Sequence, residues 1–104
     1  MNDFLSFEIT DWMQEELHLK EGSLVLYAIL FSAGKGAPVK IENIYCRTFY
    51  NLCDEDLYNV HERLVFGGYL EPIAQQGYKP VRDLNQIKAN KLHWDEVQKN
   101  IIRI

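Results

Sequence analysis

Cys46, Cys53 and His61 are the residues of this 104-residue chain whose types invite chemistry first. Thiolates and an imidazole could hold zinc, or a thiolate and an imidazole could pair as nucleophile and base. Their spacing, C-x6-C-x7-H, matches none of the usual zinc patterns, and no fourth ligand stands nearby. A Cys46–His61 pair has no third group in view to orient it and no oxyanion site. Free cysteine often serves simply as a small buried apolar residue. A histidine on an apolar helix face belongs to the core or its boundary. Gly34-Lys35-Gly36 lacks the spacing and the Lys-Ser/Thr ending of a phosphate-binding loop. The expectation is therefore a non-catalytic protein with no metal and no cofactor.

The elements that would position any site must come from one domain, residues 1–104, because 12.2 kDa allows little more. At 47% hydrophobic and 25% charged, the chain is globular in composition. A formal net charge of −4 argues against a general polyanion binder. The longest apolar run, Leu24 to Ala33, is about half the length needed to span a bilayer. Met1-Asn2-Asp3-Phe4 has neither the basic nor the apolar region of a secretory leader. Two cysteines make at most one bridge, which a chain able to build a core does not need. These features predict a cytoplasmic protein with no membrane partner.

Glycine and proline divide the chain at Gly34-Lys35-Gly36-Ala37-Pro38, Gly67-Gly68 and Gln75-Gln76-Gly77. Ile9, Trp12, Met13 and Leu17 share a face and predict a first helix over 9–17, capped by Thr10 or Asp11. The second helix, 23–32, is apolar almost all round and belongs at the centre, with Gly34 as its stop. Val39-Lys40-Ile41 suits a very short edge strand, and 42–51 a third helix. The fourth helix, 54–67, carries Leu57, Val60, His61 and Leu64 on one stripe. Tyr69–Ile73 and Tyr78–Val81 read as a hairpin, with Pro72 confining the first arm to an edge. A last helix over 94–103 bears Val97, Ile101 and Ile104 on one face. Leu24, Tyr27, Ala28, Phe31, Leu57, Val60 and Leu64 should share one core.

This layout is mainly α with a small β-hairpin (α+β). It resembles a winged helix-turn-helix domain, with the wing at about 69–83. The opening Ile9-Thr10-Asp11-Trp12-Met13, followed by Leu17 to Leu30, resembles the winged helices of phage and mobile-element replication initiators. Leu64-Val65-Phe66-Gly67-Gly68-Tyr69-Leu70 is similar to the junction where a recognition helix passes into its wing. The resemblance spans about residues 5–83. It implies double-stranded DNA binding in transcription regulation or replication, with the fourth helix in the major groove and the hairpin on the backbone.

One feature departs from that pattern. The fourth helix opens Cys53-Asp54-Glu55-Asp56, where DNA-binding members carry Ser/Thr and bases. Its outward residues, Glu55, Asp56, Asn59, Glu62, Arg63 and Phe66, include three acids and one base, a face that phosphates should repel. Carboxylates at a helix start also complement the helix dipole. Residues 1–74 hold five bases against twelve acids, while residues 75–104 hold six against three. The candidate DNA contacts are thus Asn59 and Arg63 on the fourth helix, with Lys79, Arg82, Lys88 and Lys91 on and after the wing. The alternative is a winged helix used for protein–protein interaction, docking through the acidic fourth helix. An outer cluster among Tyr45, Tyr50, Tyr58 and Phe66 would mark such an interface. A continuous positive strip joining Lys79, Arg82 and the fourth helix would favour DNA, and an acidic helix isolated from the wing would favour a protein. Ile101, Ile102 and Ile104 cannot all face one core, so a homodimer through the last helix is expected.

Overall fold

The computed structural model describes residues 7–44 and 46–102, with the side chains of residues 46, 47, 101 and 102 outside that description. The chain is mainly helical with one antiparallel hairpin. Its elements are α1 (Asp11–Glu15), α2 (Glu21–Gly34), a 3-10 turn (Ile41–Asn43), α3 (Cys46–Leu52), α4 (Leu57–Phe66), β1 (Leu70–Ile73), β2 (Gly77–Pro80) and α5 (Leu84–Ile102). Among the described residues no helix is long and apolar enough to cross a membrane.

The core gathers around α2. Leu26, Tyr27, Ala28, Ile29 and Leu30 are all buried, with Met13 and Leu17 on one side and Leu57, Val60 and Leu64 of α4 on another. Each fully buried leucine contributes roughly 1.5–3 kcal/mol relative to its exposed state. Leu24 and Phe31, expected in the core, are only partly buried and pack against its edge. Phe31 finds its place beside Trp12, ring centroids 5.2 Å apart, while Ile9 precedes α1 and stays exposed. Tyr27 is the one deeply buried phenol among the described residues. Burial pushes its pKa well up, and its neutral hydroxyl donates to the Val81 carbonyl at 2.8 Å. That bond fastens α2 to the end of the hairpin.

Several expected boundaries move, each for a local reason. α1 is shorter than 9–17 because Leu17 N–H turns back to the Trp12 carbonyl and His18 takes φ 57°. α2 runs through Gly34, and Lys35 takes the left-handed C-cap (φ 52°) expected of that glycine. The strand at Val39–Ile41 reduces to one antiparallel bridge, Val39 to Tyr78. The expected third helix begins as the 3-10 turn, breaks at Ile44, whose ψ is 119°, and resumes as α3. α4 starts at Leu57, because Asp56 is its N-cap and accepts from Tyr58 N–H at 2.9 Å. The last helix begins at Leu84, ten residues earlier than position 94. Asp83 supplies its cap, its Oδ1 accepting from the N–H groups of Asn85 and Gln86 at 2.8 and 3.3 Å.

Two glycines allow backbones to touch. Gly77 (φ +104°) lies against the Val39 backbone, which lets Val39 join β2 through Val39 N–H to Tyr78 O at 2.9 Å and Tyr78 N–H to Val39 O at 2.8 Å. Gly68 (φ +90°) lies against α5, where a Cβ would overlap the Ile87 carbonyl oxygen and stand 3.0 Å from the Lys91 nitrogen. The Asn90 side chain donates to the Gly68 carbonyl at 3.2 Å and closes the joint. Gly68→Ala combines a disfavoured φ with a backbone clash, so a loss of more than about 2 kcal/mol in urea unfolding is expected. A loss below about 0.5 kcal/mol would show that α5 does not depend on this contact.

Candidate functional site

The residues expected to contact DNA fall on separate parts of the surface. Lys79 on β2 and Arg82 just beyond it line one depression, together with Glu71, Asp83 and Gln86. Lys79 stands directly across the ladder from Glu71. The Arg82 guanidinium lies 4.2 Å from the Trp12 ring centroid, with Nε 3.7 Å from a Glu16 carboxylate oxygen. Lys88 is exposed on α5, and Lys91 reaches Asp95 at 3.5 Å. Arg63 lines a different hollow with His18, Lys20 and Tyr69. Asn59 is exposed on α4 and lines a third. The structure brings Lys79 and Arg82 together but joins neither to Asn59 or Arg63.

The acidic opening of α4 has structural work. Glu55 Oε1 accepts from Gly22 N–H at 2.9 Å, satisfying a free donor at the start of α2. Its other oxygen takes the Arg63 guanidinium at 2.5 Å. Arg63 is the first cause of a Glu55 pKa held below the ordinary carboxylate value, and the Gly22 bond adds to it against partial burial. Arg63 is thereby committed to a carboxylate of its own chain.

What sequence reasoning did not assemble is a groove of about 470 Å³ where α4, β2 and α5 meet. α4 supplies Tyr58, Glu62 and Phe66 along one stripe, at i, i+4 and i+8. β2 supplies Tyr78 and α5 supplies Trp94. Phe66 and Trp94 meet edge-on, ring centroids 5.4 Å apart. Tyr58 is 57% exposed. The signal in the sequence was the pair Tyr58 and Phe66, eight residues apart on an outer face; Tyr78 and Trp94 arrive only through tertiary folding.

His61 lies in the wall between this groove and a neighbouring one of about 440 Å³ that holds Lys40 and Glu42. Its ring stands edge-on to Tyr78, centroids 4.4 Å apart, and its Nε2 is buried with no hydrogen-bond partner among the described residues. Burial lowers its pKa below the ordinary imidazole value, while Glu42 and Glu62 pull the other way. Cys53 is half-buried, its thiol 3.8 Å from the Glu55 carbonyl, and the Cys46 side chain lies outside the described residues. Among the described residues no three His, Cys, Asp or Glu side chains gather as a metal site. The side chains of Ile101, Ile102 and Ile104, on which the expected homodimer rests, also lie outside the described residues. The chain matches no known protein-family model, no curated protein and no solved structure.

Two stability measurements follow from these contacts. Glu55→Ala frees both Gly22 N–H and Arg63, and should cost about 1–2 kcal/mol. Arg63→Ala removes only an exposed ion pair and should cost less than about 1 kcal/mol. Equal losses in urea titrations would mean that the bond to α2 adds nothing. For His61 the lowered pKa means that the unfolded chain takes up the proton more readily. Stability is therefore full above about pH 6.5 and declines as pH falls toward the folded-state pKa. His61→Gln should flatten the urea midpoint between about pH 7 and pH 5, with the exposed His18 and His93 left in place. An unchanged slope would assign the decline to other groups.

Proposed function

We propose that this chain is a non-catalytic winged-helix module that docks a protein partner through the groove between α4, β2 and α5. The winged-helix assignment draws support from the order α2, α3, α4, hairpin, and from Val39 bridging to β2 as a rudimentary third strand. In that arrangement α4 occupies the position of a recognition helix.

The observation that carries the docking reading is the character of the exposed α4 face. It presents Tyr58, Glu62 and Phe66 beside Trp94 and Tyr78, and among the described residues no Lys or Arg lines that groove. Duplex DNA requires the opposite, a cationic surface that displaces counterions from phosphates. Here Arg63, Arg82 and Lys91 each hold a carboxylate of their own chain, and Lys79 faces Glu71. An exposed Tyr58 beside the half-buried rings of Phe66, Tyr78 and Trp94 in a concavity is the kind of aromatic cluster that protein interfaces use for anchoring.

The duplex-binding alternative makes a different demand on the same residues. A labelled duplex at about 20 mM salt, where phosphate contacts are strongest, should show no binding by fluorescence anisotropy. Immobilised protein in nuclease-treated extract of its own cells should retain a protein that Glu62→Lys releases and the Lys79→Ala/Arg82→Ala pair does not. Binding of the duplex that is lost with Lys79→Ala/Arg82→Ala, or capture indifferent to Glu62→Lys, overturns the proposal.

A further inference from the structure

We infer that the groove takes an arginine side chain presented by a basic segment of the partner protein. This rests on the docking reading above and specifies its chemistry. Glu62 sits midway along the α4 stripe, one helical turn from Tyr58 on one side and one from Phe66 on the other. Tyr78 and Trp94 complete the walls. Among the described residues Glu62 has no ion-pair partner. It is the one formally charged side chain among the described residues lining this groove, and Glu42 lines the neighbouring groove that His61 also borders.

A carboxylate set among ring faces and edges favours a cation over a neutral or anionic guest. An aromatic ring attracts a cation through its quadrupole, and a carboxylate neutralises the cation's charge. Guanidinium suits this site better than ammonium. It is planar, weakly hydrated, able to stack on a ring while donating two parallel hydrogen bonds to a carboxylate. The same chain already shows the combination on its other side, where Arg82 lies over Trp12 with Glu16 beside it. In the groove, rings and carboxylate are present and the guanidinium must come from outside.

The probe is a capped pentapeptide with arginine between two leucines, titrated to millimolar concentration into the full chain labelled with nitrogen-15. The two tryptophans report separately, Trp94 in the groove and Trp12 beneath Arg82. The arginine peptide should shift the Trp94 indole signal and leave that of Trp12 in place. The same peptide with neutral citrulline should bind about tenfold more weakly. Glu62→Gln should remove most of that difference without unfolding the domain, since Glu62 is exposed.

Equal binding of the two peptides, or a preference that survives Glu62→Gln, overturns the arginine inference. So does the lack of any Trp94 shift at millimolar arginine peptide. In each case the docking reading stands or falls separately, on whether Glu62→Lys releases the captured protein.

Discussion

The constraint on which this structure depends is that α2 has no polar face to offer water. A helix this apolar must be covered over most of its surface, and in so small a chain α1, α4 and the hairpin are recruited to that task, with Leu24 and Phe31 left at the edge of the core. α1 brings Met13, α4 brings Leu57, Val60 and Leu64, and the hairpin brings Leu70 and Val81. The Tyr27 hydroxyl, taken deep into this core, is satisfied by the Val81 carbonyl at the end of the hairpin. A buried donor left without a partner costs about 1–3 kcal/mol, so that bond selects the hairpin position as well as stabilising it. Once α2 is enclosed, the relative places of α4 and β2 are set, and with them two walls of the groove.

Electrostatics then divides the surface into used and unused charge. Asp56 caps α4, Asp83 caps α5, Glu55 binds α2, and Glu16 and Asp95 hold nearby bases. Glu55 and Asp56, part of what looks like a repulsive patch in the sequence, are thus internal fastenings. Glu62, on the outer face of α4, has no ion-pair partner among the described residues and lines the groove instead.

Legibility in the sequence followed the kind of force involved. Burial with a helical period revealed α2 and the stripe Leu57, Val60 and Leu64, and two short extended runs, each containing a proline, around the Gln75-Gln76-Gly77 turn revealed the hairpin. The first half of α5 escaped because it is held differently. Its contact with the body is a backbone crossing at Gly68 and one amide bond from Asn90, with Ile87 alone buried there. A periodic apolar pattern is not required for such a joint and is not displayed. The role of Glu55 escaped for another reason, since its partner Gly22 lies 33 residues away. The groove needed residues from three elements, and single-helix spacing could show only the α4 share.

The crossing at Gly68 also makes α5 a lever. Ile87 and Lys91 rest on that glycine as on a fulcrum, and Trp94 stands two turns beyond Ile87, about 10 Å along the axis. A tilt of about 10° at the pivot would carry the indole about 2 Å toward or away from Phe66, enough to close or open one wall of the groove. The backbone-to-backbone fit leaves little slack for such a tilt. Groove width is therefore governed by a residue that contributes no side chain to it, and the wall formed by α5 is preset in the free protein.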